Sequence, residues 1–318
     1  LPGELQMGVG SRHGALLPAA ASIAPTMLQY NALMRHSISS PTSVDTWLAA
    51  AAAQLRAAGI ASSRLDSELL LNHVLQRPRH WLHAHGDSTL LHEQQAQAEQ
   101  LLTRRLKHKP LAYLVGHKEF YGRDFVVSPA VLVPRPETEQ MIALLLQLIQ
   151  PTQRTIADVG TGSGILAITA QLELPPCQVD AYDVSPEALA IAQRNAQQHG
   201  VTSVKFIQSD LLAAAQQRYD VILANLPYVS PTWQRDDRET AHEPTLALFA
   251  EGDGLALIST LLAQTERWLA PGGLLILEAD PCQHSRIIAC AATHQLTHMR
   301  SEGYALAFAK QKILHSTV

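Results

Sequence analysis

The first part of the chain carries apolar residues at helical spacing. They recur every three or four positions in three stretches, residues 43–59, 62–76 and 88–110. Such a pattern is typical of amphipathic helices, and Ser43 and Gly59 supply the cap and the stop of the first one. On the second helix we expect the buried face to consist of Leu65, Leu69, Leu70 and Val74. The pattern therefore predicts a helical domain over residues 42–110.

Residues 111–135 have a different pattern, with β-branched and aromatic residues placed around Gly116 and Gly122. This arrangement favours a β-hairpin, which we interpret as a linker between two domains. A new helix should start directly after it. Pro136 fits a first helical position and Glu139 suits the positive end of the helix dipole.

From residue 136 to 318 the sequence predicts one α/β domain. Short, continuously apolar runs alternate with helical patterns, and six of these runs are expected to be strands: 155–160, 178–184, 204–210, 219–225, 274–280 and 304–310. Strands that are apolar on both faces and separated by helices indicate a mostly parallel sheet with helices on both sides.

Composition narrows the class of protein. The 318 residues are 47% hydrophobic and 16% charged, with a net charge of −4, which is typical of a globular chain and not of a general polyanion binder. Basic residues nevertheless cluster over 104–123. We interpret this segment either as a solvated helix face or as a docking patch for an acidic or ribonucleoprotein partner.

The cysteines and the N-terminus bear on location. Three cysteines without metal-ligand spacing indicate neither a zinc site nor a disulfide framework, and no apolar run is long enough for a membrane span. Residues 1–41 contain one acid, Glu4, and partly resemble a signal-peptide core or a transit peptide. We expect a disordered tail, a cytoplasmic protein (or an organellar matrix protein if the tail is a transit peptide) and a monomer.

A glycine-rich loop and two acids follow the first three predicted strands. The loop after the first strand contains Gly160, Thr161, Gly162, Ser163 and Gly164. Asp183 ends the second strand, where a carboxylate can accept both ribose hydroxyls, and Asp210 ends the third, where it can meet an adenine amino group. Ligands bind at this edge of open α/β sheets. Together these motifs resemble the S-adenosyl-L-methionine site of class I methyltransferases, whose Rossmann-like sheet has seven strands.

The fourth strand ends in ANLPYVS, residues 224–230. In this position class I enzymes that methylate planar nitrogen keep an (N/D/S)-P-P-(Y/F) motif. The Asn225 side-chain oxygen and the Leu226 carbonyl could each accept one N–H of the substrate, which holds the nitrogen lone pair toward the methyl group without a general base. Pro227 shapes the turn, and Tyr228 would cover the planar group. With leucine at the first proline position, the form NLPY also resembles adenine-N6 dimethylases of ribosomal RNA.

Other segments favour a different substrate. The stretch 133–139 reads VPRPETE and resembles the signature of the peptide chain release factor N5-glutamine methyltransferases, also called the HemK family. The resemblance continues in five further segments, 64–75, 110–127, 158–168, 242–255 and 270–278. RNA dimethylases carry their extra helical domain after the catalytic one, and a glutamine methyltransferase acting on a ribosomal protein usually has PRSP in place of PRPETE.

The resemblance implies a function and a set of residues. The family transfers a methyl group from S-adenosylmethionine to the glutamine amide in the GGQ loop of release factors. It implies that the glycine loop, Asp183, Asp210 and Leu211 contact the cofactor, Leu211 weakly because the family often has an aromatic residue there. Asn225 to Tyr228 would hold the amide and touch the cofactor through Asn225. The segment from Arg135 to Thr138, which includes Glu137, would wall the substrate site with Phe120 and Tyr121, and residues 104–109 would help to dock the release factor. No metal is implied. The alternatives are adenine-N6 methylation of ribosomal RNA, N5-glutamine methylation of a ribosomal protein and a non-catalytic cofactor-binding adaptor.

Overall fold

The computed structural model describes residues 42–233 and 238–312. The described residues from Ser43 onward form one compact unit. The disordered tail predicted for residues 1–41 lies outside the described residues.

In the part of the chain that the structure describes, five helices precede the first strand. They are α1 (Val44–Ala57), α2 (Ser63–Leu75), α3 (Arg79–Ala84), α4 (His92–Arg105) and α5 (Leu111–Val115). The Ser43 hydroxyl accepts the Thr46 amide hydrogen, as its position before α1 predicts. The helices share a small core that includes Trp47, Leu55, Leu70, Leu71, Leu82 and Leu102. Sequence periodicity missed α3 and α5 because each is shorter than two turns.

The buried face of α2 differs from the predicted one. Leu65 is exposed, whereas Asp66 and Glu68 are buried. Each of these acids has arginine partners: Arg105 on α4 donates to Asp66 at 2.7 Å, and Arg64 and Arg79 both pair with Glu68. Paired charges can be buried where isolated ones cannot, so a pattern that treats every polar residue as exposed assigns the wrong face here.

The predicted hairpin forms after α5. Strands β1 (His117–Phe120) and β2 (Arg123–Val126) pair antiparallel. The fully buried Asn195 fixes the hairpin to the second domain, because its amide bonds the N–H and the carbonyl of Val126 and also the carbonyl of Ser163. A short 3-10 turn, Pro136–Thr138, then leads into α6 (Glu139–Leu148), so the predicted helix begins one turn late.

The second domain contains a seven-stranded sheet. Its strands are β3 (Thr155–Val159), β4 (Gln178–Asp183), β5 (Lys205–Gln208), β6 (Tyr219–Ala224), β7 (Leu269–Glu278), β8 (Leu296–Glu302) and β9 (Ala305–Lys310). The helices between them are α7 (Ile165–Glu173), α8 (Pro186–Gln198), α9 (Thr245–Leu248), α10 (Ala256–Trp268) and α11 (His284–Thr293), with 3-10 turns at Thr240–His242 and Pro281–Gln283.

The strand order is β5-β4-β3-β6-β7-β9-β8. All neighbours are parallel except those of β9, which runs antiparallel to β7 and β8. The sheet is therefore mostly parallel and seven-stranded, as predicted. From the central strand β3 the chain first adds β4 and β5 on one side and then crosses to add β6 and β7 on the other. The sequence pattern missed β8 because this edge strand is exposed over most of its length.

Each face of the sheet carries its own hydrophobic core. One includes Met141, Ile142 and Leu145 of α6, and the other includes Leu261 and Leu262 of α10. Because both faces are covered, the carboxyl ends of the parallel strands are the open edge at which loops can build a site. Within the described ranges no helix is long and apolar enough to cross a membrane.

Candidate active site

A cavity of about 330 Å³ lies at the carboxyl ends of β3, β4, β5 and β6, and we call it the large cavity. Its polar wall contains Asp183, Ser185, Ser209 and Asp210, and its apolar wall includes Val131, Leu132, Leu211, Leu226, Leu246 and Leu257. Among the described residues, no lysine or arginine lines it. A ligand with phosphate groups would meet carboxylates here without a compensating cation, so the cavity suits a neutral or cationic nucleoside better than a dinucleotide.

The glycine-rich loop forms one side of this cavity. Gly160 and Gly162 line it, while Thr161 and Ser163 line a smaller cavity of about 40 Å³ beside it. Gly164 lines neither of the two. It packs against α8, where an added Cβ would lie 3.0 Å from that of Ala192. Gly164 therefore fixes the helix against the loop instead of touching a ligand.

Asp183 connects the loop to the next strand. One of its carboxylate oxygens accepts the Gly162 N–H at 2.8 Å, and the other accepts the Ser185 N–H at 2.9 Å. Each oxygen keeps a second lone pair, so the carboxylate can still accept hydroxyl donors from the cavity that it lines. The Asp183 geometry is thus consistent with the ribose contact predicted for it.

Asp158, beneath the loop, is fully buried. Oδ2 accepts the Thr161 hydroxyl and the Ala167 N–H, whereas Oδ1 has no hydrogen-bond partner in the described part of the chain. Burial raises the pKa of Asp158 to about 7; the bonds from Thr161 and Ala167 oppose this rise, and the negative charge of Asp183 adds to it. A cationic group bound above the loop would favour the ionised form.

Another cavity, of about 120 Å³, lies beside the large one at the end of β6, and we call it the amide cavity. Asn225, Leu226, Pro227 and Tyr228 line it together with Arg135 and Glu278. Asn225 lines the large cavity, the amide cavity and the small one by the loop. The Asn225 side chain therefore stands where the three spaces meet.

Hydrogen bonds orient the side chains around the amide cavity. The Asn225 amide nitrogen donates to the buried Thr138 hydroxyl at 3.2 Å. Because oxygen and nitrogen lie on opposite sides of an amide, this bond turns the Asn225 oxygen away from Thr138. The Tyr228 hydroxyl donates to Glu278 at 3.2 Å, and the Gln283 amide holds the Tyr228 carbonyl at 2.9 Å.

Leu226 is buried and packs next to the glycine loop. Its Cδ2 atom would lie 2.9 Å from a Cβ added at Gly160. The leucine thus fills space between the amide cavity and the cofactor loop, which gives a packing reason for an apolar residue at the first proline position of the motif. Leu211, the other departure from the family pattern, lines the large cavity with a left-handed backbone (φ +46°).

Residues 239–248, in the connection after β6, line both cavities and are anchored by arginines. Glu243, whose side chain is fully buried, accepts Arg135 at 2.5 Å and the Val133 N–H at 3.0 Å. Glu239 pairs with Arg105 of α4, which also holds Asp66. Arg105 is therefore buried between carboxylates, and only part of the basic 104–109 segment remains available as a docking surface.

Some predicted residues do not come together at the site. Glu137 is exposed and lines none of these three cavities. Phe120 is buried in the core against Phe125, and the Tyr121 N–H bonds Glu139, so the structure places neither ring on a cavity wall. In the described ranges no group of acids, histidines and cysteines could hold a metal ion.

Sequence reasoning placed Thr138 only as part of the 135–138 wall and gave no role to Glu278 or Gln283, although all three are buried beside the amide cavity. A signal was present for one of them. Glu278 follows the apolar run LLIL at the carboxyl end of a strand, which is where functional side chains of such sheets stand. Thr138 and Gln283 sit in 3-10 turns, whose side-chain directions the sequence does not reveal.

Comparisons with known proteins agree with this architecture. The model of the PrmC N-terminal domain matches residues 46–116, and that of the methyltransferase small domain matches residues 136–243. The sheet and the second of these matches define a class I methyltransferase, preceded by a helical domain. A methyltransferase structure from Pyrococcus furiosus, with a TM-score of 0.48 and 19% identity over 66% of this chain and 98% of that one, is too distant to add to the assignment.

Two sequence relatives define the family more narrowly. A release factor glutamine methyltransferase from Koribacter versatilis is 42% identical over 71% of this chain and 84% of its own length. One from Escherichia coli is 39% identical over 73% of this chain and 84% of its own. The chain belongs to the release factor glutamine methyltransferase family, as the resemblance in its sequence predicted.

Proposed function

We propose that this methyltransferase transfers a methyl group from S-adenosylmethionine to the side-chain amide nitrogen of the glutamine in the GGQ loop of peptide chain release factors. The observation that carries the proposal is the position of Asn225 at the junction of a nucleoside-sized cavity and a smaller one. The names of the two relatives, at 42% and 39% identity, support the choice of substrate.

The residues around the large cavity fit this cofactor. S-adenosylmethionine supplies an electrophilic methyl group on a cationic sulfonium. The carboxylates of Asp183 and Asp210 provide negative charge on the cavity wall, and within the described ranges no cationic side chain competes with them there. Asp183 would hold the ribose, and Leu211 with Val184 would bound the base.

The amide cavity would hold the substrate glutamine. An amide nitrogen is a weak nucleophile because its lone pair is delocalised, so its orientation matters more than its proton affinity. The Asn225 oxygen and the Leu226 carbonyl would accept its two N–H groups, and Tyr228 would shield it from water. The reaction forms one N–C bond, breaks the S–C bond and releases one amide proton to solvent.

Arg135 and the helical domain would position the protein substrate. Arg135 lines the amide cavity, and its ion pair with Glu243 anchors residues 239–248, which line the same cavity. The exposed part of the basic segment, including Arg104 and Lys107, would contribute to docking.

A transfer assay tests the proposal. The protein is incubated with S-adenosylmethionine labelled in the methyl group and with intact release factor, a release factor whose GGQ glutamine is changed to alanine, or ribosomal RNA. Label is expected on the unmodified release factor only. Label on RNA alone would identify an RNA methylase, and cofactor binding without transfer to any of the three would identify a binding adaptor.

A further inference from the structure

Glu278 is a buried carboxylate that the proposed transfer does not use. It ends β7, is 2% exposed and lines the amide cavity. Oε1 accepts the Tyr228 hydroxyl, while Oε2 has no hydrogen-bond partner among the described residues. A buried carboxylate oxygen without a partner costs free energy, so its retention beside a cavity calls for a role.

A chain of polar groups links Glu278 to Asn225. The Thr138 hydroxyl accepts a hydrogen bond from the Asn225 amide nitrogen at 3.2 Å. Burial raises the pKa of the Glu278 carboxyl, and Thr138, Tyr228 and Asn225 oppose this rise. A hydroxyl that accepts one hydrogen bond keeps its own hydrogen for another acceptor. A Thr138 hydrogen directed to the unpartnered Oε2 of Glu278 would leave the lone pairs of Thr138 for Asn225.

This arrangement selects one of the two orientations of the Asn225 amide. When its nitrogen faces Thr138, its oxygen is available to the substrate. In the flipped orientation an NH₂ group would face the NH₂ group of the glutamine, and two donors cannot bond each other. The same carboxyl fixes the ring of Tyr228 through its hydroxyl.

We propose that Glu278 is a positioning residue of the methyl-transfer site, which sets the orientation of Asn225 through Thr138 and of Tyr228 directly. The inference rests on the proposed function, because Asn225 must present its oxygen to an amide.

The test measures kcat, KM for the release factor and the Kd for S-adenosylmethionine in three variants. Glu278→Gln and Thr138→Val should each lower kcat by about 10- to 100-fold, since small misplacements of a reacting group are costly. KM and the cofactor Kd should change less than about threefold, because the cavities keep their shape. Tyr228→Phe removes only the hydrogen bond between the Tyr228 hydroxyl and Glu278, and it should lower kcat by less.

The double variant separates positioning from general damage. If Glu278 acts on Asn225 through Thr138, Glu278→Gln adds to the loss already caused by Thr138→Val no more than the small fall expected for Tyr228→Phe, whereas independent effects would multiply. Glu302→Gln is the matched control: it changes a glutamate at the end of β8 in the same sheet and should keep wild-type kcat.

The outcomes distinguish this inference from the proposed function. Wild-type kcat in Glu278→Gln, or multiplicative losses in the double variant, would overturn the positioning role while methylation by the wild-type protein stands. Absence of glutamine methylation by the wild-type protein would instead overturn the proposed function. Cofactor binding by each variant shows whether it is folded, so a misfolded variant is recognised before its kcat is interpreted.

Discussion

The two sides of the site, the large cavity for the cofactor and the amide cavity, are held in shape by different kinds of contact. The cofactor side includes a stretch of backbone, the glycine-rich loop after β3, which the Asp183 carboxylate holds through the Gly162 N–H. The amide side is held by bonds between side chains, in which Asn225 donates to Thr138 and Tyr228 donates to Glu278. Shape defines the first side, and the direction of hydrogen bonds defines the second.

The difference predicts how each side fails. A change on the cofactor side acts by occupying space or straining the backbone, and it should appear in the cofactor Kd. A change on the amide side removes a donor or an acceptor without closing the cavity, and it should appear in kcat. Substitutions on the two sides should therefore separate these two responses.

Asn225→Ala should have the largest effect. It removes the proposed acceptor for the substrate amide, and loss of one such preorganised group lowers kcat by about 100- to 1,000-fold. Transfer kinetics with saturating cofactor measure this fall. The control is Asn72→Ala in α2, which should keep full activity. Full activity of Asn225→Ala would contradict the amide clamp.

Gly160→Ala should weaken cofactor binding by about tenfold or more, equivalent to roughly 1.4 kcal/mol. The residue has φ +76°, and the added Cβ would lie 2.9 Å from the Leu226 side chain. Calorimetric titration with S-adenosylmethionine measures the Kd. Gly200→Ala is the matched control, because Gly200 has φ +68° with open space around it. It should lower the free energy of unfolding by about 1 kcal/mol and leave the Kd unchanged.

Asp158 should make stability depend on pH. In the folded protein the Asp158 carboxyl keeps its proton up to about pH 7, whereas an aspartate in the unfolded chain loses its proton near pH 4. The stabilising contribution of this group is therefore complete below pH 4 and is lost as the pH rises through 7. Relative to Asp158→Asn, the wild-type free energy of unfolding should fall by up to about 1.4 kcal/mol per pH unit over this interval. Urea unfolding at several pH values measures it, and parallel curves for the two proteins would refute it.

Leu226→Pro should have the smallest effect on transfer. The residue at this position keeps its carbonyl acceptor, and proline fixes only the φ angle, so kcat should change by about threefold or less. Loss of the leucine contact with the glycine loop should instead raise the cofactor Kd slightly. A large fall in kcat would show that the leucine itself orients the turn.

The fold was predictable wherever burial follows a simple period. The strands from β3 to β7 are continuously apolar, and their alternation with helices specifies a covered parallel sheet. The exposed edge strand β8 was missed because its residues carry no apolar pattern. The face of α2 was assigned wrongly because Asp66 and Glu68 are buried against arginines that are distant in sequence.

The site was predictable where its residues directly follow the carboxyl ends of predicted strands. The glycine loop, Asp183 and Asn225 follow strand ends, and strand ends of one sheet meet at one edge. The contact of Thr138 with Asn225 and any role for Gln283 were not predictable, because they depend on how distant turns pack. Glu137 was proposed from its position in the signature, yet its side chain is exposed while that of its neighbour Thr138 is buried.

Arg105 has a consequence for dissecting the protein. Its guanidinium, nearly inaccessible to solvent, bonds Asp66 of the helical domain, the Lys109 carbonyl and Glu239 of residues 239–248, which line both cavities. Thr240, which follows Glu239 in the chain, lines the amide cavity. The helical domain is therefore not a detachable module: a truncated catalytic domain would lose the anchor of its own substrate wall. A chimera with a foreign docking domain would have to bring an equivalent arginine to keep that wall in place.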